Sequence, residues 1–480
     1  MTRPTMPNAY PPGDLAAPPI DEDLVAALVA AGISVDVTAR ARADHGRDWW
    51  PLLLRDVHEG RVPFWPAVVA RPATTDDVVA TLRVARERGV AVTAQGGRSG
   101  VVGGAAAPDG SIALDMTGMD RVVAVDEVAG TVRVEAGVFG PDLEAAVRER
   151  GFTVGHFPQS FDLSTVGGWL ACRGAGQYSN RYGKVEDIVR GLRVVLASGE
   201  VVDLGGRGPR QAVGPDLVGL LVGSEGALGV ITEATLVLRR VPQSEARAAY
   251  GFGSFAEGLD ACRRVLQRDA RPAVLRLYDQ VESRRSFAQD TCLLIVLDEG
   301  DEAFVAATLG VVAAECGGAD RLDDALVATW LAHRNDVGAL APLWEGGVVV
   351  DTLEVAAPWS ALEPMRVTVV AALEALPDTI VASVHQSHAY VDGACLYFTF
   401  AGRPAGDPTP YYRAAWDAAT REVLAAGGAL SHHHGVGRNR ARFLDAALGG
   451  GADVLRTLKE ALDPDHLLNP GVLGLGGEAW

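Results

Sequence analysis

Apolar and polar positions follow two regimes that meet near Pro242. Upstream, short apolar runs alternate with glycine-rich loops; downstream, helical periods alternate with apolar strands. From Ile20 to Asp56 the spacing is helical with a break at Gly32. Val68-Val69-Ala70-Arg71 predicts a strand stopped by Pro72, which has no N–H for a ladder. Thr75 to about Arg88 predicts a helix with Thr or Asp as its N-cap. Val90 to Thr93 is a further strand, and Pro141 to Glu149 a helix closed by Gly151. Gly191 to Leu204 alternates about Ser198-Gly199, as a hairpin does. The run Ile231 to Leu238 closes this first part. Beyond Pro242, helices near 255–267, 301–316 and 360–375 alternate with strands near 292–298, 348–355 and 394–401. That order predicts a separate α/β lobe with an antiparallel sheet. Residues 409–426, 440–448 and 451–462 read as helical, and the segment from Asp463 to Pro470 ends the fold. The expected units are an extension over 1–60, a glycine-rich lobe over 61–242, a second lobe over 243–430 and a C-terminal segment over 431–480.

Composition narrows the function. The chain has 480 residues, too many for one core, and a net charge of −18, which argues against nucleic acid as a partner. Its five cysteines are widely spaced with no C-x-x-C, so reduced thiols in a cytoplasmic protein are expected. Residues 1–20 are Pro-rich and expected to be disordered; they carry no basic-apolar signal. No apolar run reaches the roughly 18 residues of a membrane span. Lys184 and Lys459 are the only lysines, so the many arginines reflect compositional bias and each one alone carries less meaning.

Three glycine loops recur in order: Gln95-Gly96-Gly97-Arg98-Ser99-Gly100, Ser164-Thr165-Val166-Gly167-Gly168-Trp169, and Gly223-Ser224-Glu225-Gly226-Ala227-Leu228-Gly229. Consecutive free N–H groups on glycine-rich backbone make an anion-binding concavity. The loops suit a long, doubly charged cofactor, with a pyrophosphate at one loop and a flavin ring at the others. They are neither a Rossmann fingerprint nor a Walker A loop.

Downstream, Ser431-His432-His433-His434-Gly435-Val436-Gly437 places three imidazoles in sequence. They suit a metal site, a proton relay or a polar loop. Alternation puts Tyr397 on one strand face with Cys395 and Thr399, either as a satisfied core tyrosine or as an acid–base group whose pKa neighbouring histidines or arginines lower. Arg276 lies inside the apolar run Val274-Leu275-Arg276-Leu277, as an ion-pair partner or a ligand contact. Arg334 stands at a helical position in His333-Arg334-Asn335-Asp336.

Four segments together resemble the alkyldihydroxyacetonephosphate synthase (alkylglycerone-phosphate synthase) family, within the vanillyl-alcohol-oxidase, PCMH-type FAD-binding superfamily. They are His156-Phe157-Pro158, Phe161 to Trp169, Tyr182 to Asp187, and Gly223 to Ala234, joined by the triple histidine. Asp44-His45-Gly46-Arg47-Asp48 is similar to a short segment that precedes the family's FAD domain. The resemblance implies an α+β fold: a PCMH-type two-subdomain FAD-binding domain, an α/β cap (substrate) domain with an antiparallel sheet, and a helical C-terminal segment. It carries FAD contacts onto Thr93, Ala94, Gln95, Gly96, Gly97, Arg98 and Ser99, with Arg98 where smaller residues are usual. Further contacts fall on Gln159, Ser160, Phe161, Asp162, Leu163, Ser164 and Thr165, on Cys172, Arg173, Gly174 and Ala175, and on Glu225, Gly226, Ala227, Leu228, Gly229, Val230 and Ile231. With no histidine in the first loop, FAD is expected to be non-covalent. Tyr397, His432, His433, His434 and Arg276 are then catalytic, and Arg334 binds the substrate phosphate. The implied reaction exchanges the acyl chain of acyl-dihydroxyacetone phosphate for a fatty alcohol through a flavin N5 adduct. The alternative is an FAD-linked oxidoreductase acting on a D-2-hydroxy acid or an alcohol. The metal motif of such dehydrogenases is interrupted here, with Tyr397 in place of a histidine and His433 in place of a carboxylate, so no metal is expected. A small-molecule lipid or hydroxy-acid substrate, a homodimer, and peripheral membrane contact with a lipid substrate complete the expectation.

Overall fold

The computed structural model describes residues 15–338 and 341–477. Most of the segment expected to be disordered, residues 1–14, therefore lies outside the described residues. The region expected to be helical from Ile20 to Asp56 is helices Glu22–Ala30, Ala39–His45 and Pro51–His58, with a short strand Ser34–Asp36 that apolar spacing does not reveal. Gly32 breaks it as expected, at φ +85°.

Two larger sheets and a two-stranded pairing of Phe152–Thr153 with Arg239–Arg240 make the glycine-rich lobe. The first orders Ser34–Asp36, Val68–Arg71, Ile112–Asp115 and Val92–Gln95, the last three parallel to one another. Helix Thr75–Arg88 covers it, started by a Thr74–Asp77 capping box and ended by Gly89 in the left-handed region. The second sheet is antiparallel, in the order Val122–Asp126, Thr131–Glu135, Val230–Val237, Val189–Val195, Val201–Gly205. Its last two strands are the expected hairpin around Gly199, whose φ is +86°.

The second lobe is one seven-stranded antiparallel sheet. Its order is Asp320–Leu322, Ser244–Phe252, Cys292–Gly300, Val274–Tyr278, Thr379–Ala389, Gly393–Gly402, Val349–Pro358. Alternate residues such as Leu275, Leu277, Val384, Leu396, Phe398, Leu353 and Val355 face helices Phe255–Gln267, Trp359–Glu374 and Thr409–Ala425 and form the largest core. The opposite face is left for chemistry. Across it runs a cross-strand row of register partners, Tyr278, His385, Tyr397 and Glu354. All five cysteines are free, and no helix among the described residues is long and apolar enough to cross a membrane.

Candidate functional site

The three glycine loops and the row on the cap sheet face one another across a cavity of about 610 Å³. Its glycine-loop wall contains Ala94 to Ser99, Gln159, Ser160, Leu163 to Thr165, Cys172, Gly174, Ala175, Glu225, Gly226, Gly229 and Ile231. Its cap wall contains Arg276, Glu282, Arg285, His385, His388, Tyr397, Thr399, His433 and His434. Seven expected cofactor residues do not line it. Thr93, Ala227, Leu228 and Val230 are buried behind the loops. Phe161 stacks 6.4 Å from Trp169, Asp162 is exposed, and Arg173 turns outward to Glu186 at 3.4 Å.

The loop glycines are required by close approach. A Cβ on Gly97 would lie 1.7 Å from the Leu163 carbonyl oxygen, and one on Gly96 2.0 Å from Thr165 Oγ1. The amides of Gly97, Arg98, Ser99 and Gly100 make no hydrogen bond among the described residues. Arg98 adopts φ +53°, turns into the cavity, and keeps a buried Nε–H without an acceptor. Its Nη1 lies 3.1 Å from both ring nitrogens of His45. Burial lowers His45 to about 4, so that imidazole is neutral. Free amides beside an unsatisfied guanidinium fit a pyrophosphate, and the residues present fit FAD.

The loops are fixed from the far end of the chain. Asn469 Nδ2 donates to the carbonyls of Gly104 (2.9 Å) and Glu225 (2.7 Å), and Thr93 donates to its Oδ1. Lys459, fully buried, spends its three N–H donors on the Ala227 carbonyl, the Leu468 carbonyl and Asp463. Glu225 accepts from the amides of Val436 (2.6 Å) and Gly437 (2.8 Å), tying the third loop to the histidine segment. Burial pushes Glu225 up to about 7, against the pull of those two amides.

The histidine segment is folded around Glu354. Its Oε1 accepts from Ser431 Oγ (2.6 Å) and from the amides of His432 (3.2 Å), His433 (3.1 Å) and His434 (2.8 Å); Arg440, also fully buried, pairs with both oxygens. Burial alone would raise Glu354, but the Arg440 charge, with the His434 contact, outweighs it and holds the carboxyl well below its ordinary range. His434 Nδ1 lies 3.2 Å from Glu354, and its Nε2 lies 3.2 Å from the Tyr397 hydroxyl. Glu354, His434 and Tyr397 therefore form a chain ending in the cavity. Tyr397 also stacks on His385, with centroids 4.8 Å apart. The expectation that neighbouring cations lower the tyrosine fails: burial and the nearby Glu354 charge outweigh Arg276 and raise it well above its ordinary value.

His385 is oriented from both sides. Its Nδ1 meets Glu282 at 2.8 Å and its Nε2 meets Arg276 at 2.5 Å. Glu282 also accepts from Ser383 and Thr399, and the His385 contact, the Arg285 charge and the Ser383 hydroxyl overcome burial to hold it at about 2. The other two histidines make no hydrogen bond to Tyr397, although the His433 ring lies 6.1 Å from it. His432 Nε2 contacts the Tyr390 hydroxyl (2.5 Å), and its Nδ1 contacts His433 Nδ1 (2.8 Å). One ring nitrogen from each of His388, His432 and His433 lies within 4.8 Å of the others, a spacing that admits a metal ion where none was expected.

Arg334 does not line the cavity. Its guanidinium occupies an aromatic box of Tyr178 (4.9 Å), Trp330 (5.7 Å) and Phe157 (5.8 Å), and Nη1 reaches Gln177 at 3.3 Å. Sequence reasoning missed Glu354 and Glu282. A glutamate between Leu353 and Val355 in an apolar strand was the one available signal, since a charge there demands a partner.

Comparison with known proteins agrees with this layout. A family model for the FAD binding domain matches residues 66–205, and one for the C-terminal domain of FAD linked oxidases matches residues 241–473. The chain is 30% identical over 514 residues to an alkyldihydroxyacetonephosphate synthase of Trypanosoma brucei brucei, covering 96% of this chain and 81% of that one. It is 29% identical over 430 residues to the uncharacterized FAD-linked oxidoreductase YgcU of Escherichia coli O157:H7, covering 85% and 89%. A solved alkyldihydroxyacetonephosphate synthase superposes with a TM-score of 0.79 at 26% identity, covering 95% of this chain and 87% of that one.

Proposed function

Because this chain belongs to the FAD-linked oxidase family with a PCMH-type FAD-binding domain, we propose that it is an FAD-dependent enzyme of the alkyldihydroxyacetonephosphate synthase type, exchanging an acyl chain for a fatty alcohol on a phosphorylated three-carbon ketone. The observation that carries this reading is the chain Glu354–His434–Tyr397, which brings a hydroxyl and an imidazole to the cavity wall opposite the glycine loops.

FAD bound along those loops supplies an electrophilic ring that can hold the substrate carbon or accept an electron pair. The rest falls to the protein. The incoming alcohol must lose its proton as its oxygen bonds to carbon, while the acyl group departs as a carboxylate. Tyr397 is too weak an acid to begin as a phenolate. Its hydroxyl instead passes the alcohol proton to His434 Nε2, and Glu354 stabilises the imidazolium that forms. Gly435 and Gly437, both at positive φ, let the backbone turn so that Glu354 gathers the segment's amides. Pro51, Leu54, Trp344 and Val337 add apolar lining to the cavity, which suits an alkyl chain.

One observation favours a second reading, oxidation of a 2-hydroxy acid. Arg55, His58, Arg285, Asp336 and Glu345 also line the cavity, and such polar walls suit a small charged substrate. His434 would then take the hydroxyl proton. The two readings separate under anaerobic mixing of the yellow holoprotein with palmitoyl-dihydroxyacetone phosphate and hexadecanol. Ether product with no electron acceptor consumed supports the transferase. No ether, with flavin bleached by D-2-hydroxy acids, replaces it with the dehydrogenase.

A further inference from the structure

Either reaction leaves a proton behind. Ether formation breaks the alcohol O–H bond and the bond from the substrate carbon to the ester oxygen, forms the new C–O bond, and releases the acyl group as a carboxylate. Oxidation of a hydroxy acid gives up a hydride to the cofactor and leaves the hydroxyl proton. The acceptor described above is a dead end for that proton. His434 gives its Nδ1 to Glu354, and this fully buried carboxylate is already committed to Arg440. Cofactor and alkyl chain displace water from the cavity, so the proton needs a route through the protein.

A second polar chain starts on the same wall. His433 lines the cavity, and its Nε2 has no partner among the described residues. Its ring lies 6.1 Å from that of Tyr397, a span that one water bridges. His433 Nδ1 lies 2.8 Å from His432 Nδ1, and His432 Nε2 lies 2.5 Å from the Tyr390 hydroxyl. Two imidazole nitrogens in contact share one proton, so the tautomer of His432 dictates that of His433. A proton taken at His433 Nε2 and given up at Tyr390 only exchanges these tautomers. His432 and Tyr390 stand behind the cavity wall, yet both keep some exposed surface. Tyr390 follows strand Thr379–Ala389, with the Lys184 ammonium 4.8 Å from its ring centre. The charges of Glu186, Asp187 and Asp392 act on its hydroxyl, and the last two are exposed. Burial, with the Lys184 and His434 charges, lowers His432 to about 4 against the pull of Glu354, so that imidazole passes a proton on and does not hold it.

The nitrogens of His388, His432 and His433 are near enough for an ion, but the rings do not converge on one. His388 stacks on His432 with centroids 4.7 Å and planes 18° apart, so their in-plane lone pairs run side by side. A metal-bound imidazole instead points at its ion from roughly 2.0–2.1 Å. His388, tied through Nδ1 to Ser179 Oγ at 2.7 Å, holds the His432 ring in line. We propose that His433, His432 and Tyr390 form a proton exit from the cavity to the surface beside Lys184. This deepens the function proposed above and rests on it only for the released proton, which the redox reading shares.

Tyr390→Phe keeps the ring and removes only the relaying hydroxyl. Holoprotein in weak buffer with a pH-indicator dye is mixed with palmitoyl-dihydroxyacetone phosphate and hexadecanol, or with D-2-hydroxy acids and an artificial electron acceptor. The first turnover of the variant, by rapid quench and flavin absorbance, should stay within about twofold of the unaltered protein. Later turnovers should slow about 10²-fold, the scale of a lost proton-transfer group, with proton release lagging product. Added imidazole, a diffusible base, should restore them. A merely structural role would slow the first turnover too, and imidazole would not help. The exit is overturned if later turnovers of Tyr390→Phe match those of the unaltered protein, which means the proton leaves by the cavity mouth, or if imidazole gives no rescue. It is overturned as well if purified holoprotein holds a stoichiometric metal ion that His388→Ala loses, because a metal-bound nitrogen carries no proton. If the unaltered protein turns over neither set of substrates, the proposed function fails and the exit falls with it, a result distinct from the others.

Discussion

Glu354→Gln should cost about 3–5 kcal/mol of folding stability, the usual result of breaking a buried ion pair by removing one partner. Glutamine can keep one carbonyl for Ser431 and the amides of His432, His433 and His434. Its NH₂, however, faces Arg440 and His434 where an oxygen stood. Arg440 is then a fully buried cation left with neutral acceptors alone, the retained side-chain carbonyl at Nη1 (3.2 Å) and the Leu430 carbonyl (3.1 Å), beside the Trp416 ring (4.9 Å). The loss corresponds to roughly 10²- to 10⁴-fold in the folding equilibrium. Urea unfolding followed by circular dichroism, on apoprotein and holoprotein alike, measures it. Because the folded pKa of Glu354 is depressed, its contribution is complete above the ordinary glutamate range and is lost as pH falls through the folded value, so the comparison belongs at neutral pH. Adding Arg440→Met removes the stranded cation and should recover most of the stability. Turnover should stay low in the double variant, because His434 still lacks its carboxylate. The reasoning is refuted if Glu354→Gln stays within about 1 kcal/mol of the unaltered protein, or if the double variant is less stable than the single.

Tyr397→Phe should keep its FAD and lose about 10²- to 10⁴-fold in kcat, the range of a lost acid–base group, in steady-state assays of whichever reaction is found. Gly97→Ala forces a Cβ onto the Leu163 carbonyl; purified protein should carry at least about tenfold less flavin per chain, read from its absorbance, because the loop can no longer approach the pyrophosphate. Glu225→Gln tests a raised carboxyl. A folded pKa of about 7 means that ionisation opposes folding, so the unaltered protein loses stability as pH rises from the ordinary glutamate value through about 7. The variant should gain relative to it across that window and run parallel above it, by urea midpoints at stepped pH.

Features with a local cause were legible in the sequence. The helix over Thr75–Arg88 announces itself through its capping residues, and Phe255–Gln267 through its apolar period. The glycine loops are readable because close backbone approach leaves no alternative residue. The strand Ser34–Asp36 was hidden because only three residues pair, and at a sheet edge. The site's wiring was hidden for a different reason. Glu354 meets the histidine segment and Arg440 about eighty residues downstream, and Tyr397 meets His385 through strand register, which no local pattern fixes. Tyr397 and the histidines could be singled out, but not which imidazole the tyrosine uses. Burial then reversed the expected direction of the tyrosine's pKa. The aromatic box around Arg334 was hidden because a guanidinium against three rings and one against a phosphate look alike in sequence.

The bond from Thr93 to Asn469 spans 376 residues, and it has a consequence for the order of events during synthesis. The strand ahead of the first glycine loop leaves the ribosome long before the residue that braces it. At about 5–20 residues per second, the gap is roughly 20–75 s. Through that interval the first and third loops lack Asn469 and Lys459, so a nascent chain is expected to be blind to flavin until its last helix and following turn emerge. Chains cut before Leu467 should accumulate colourless, while flavin added to full-length apoprotein should be taken up after release.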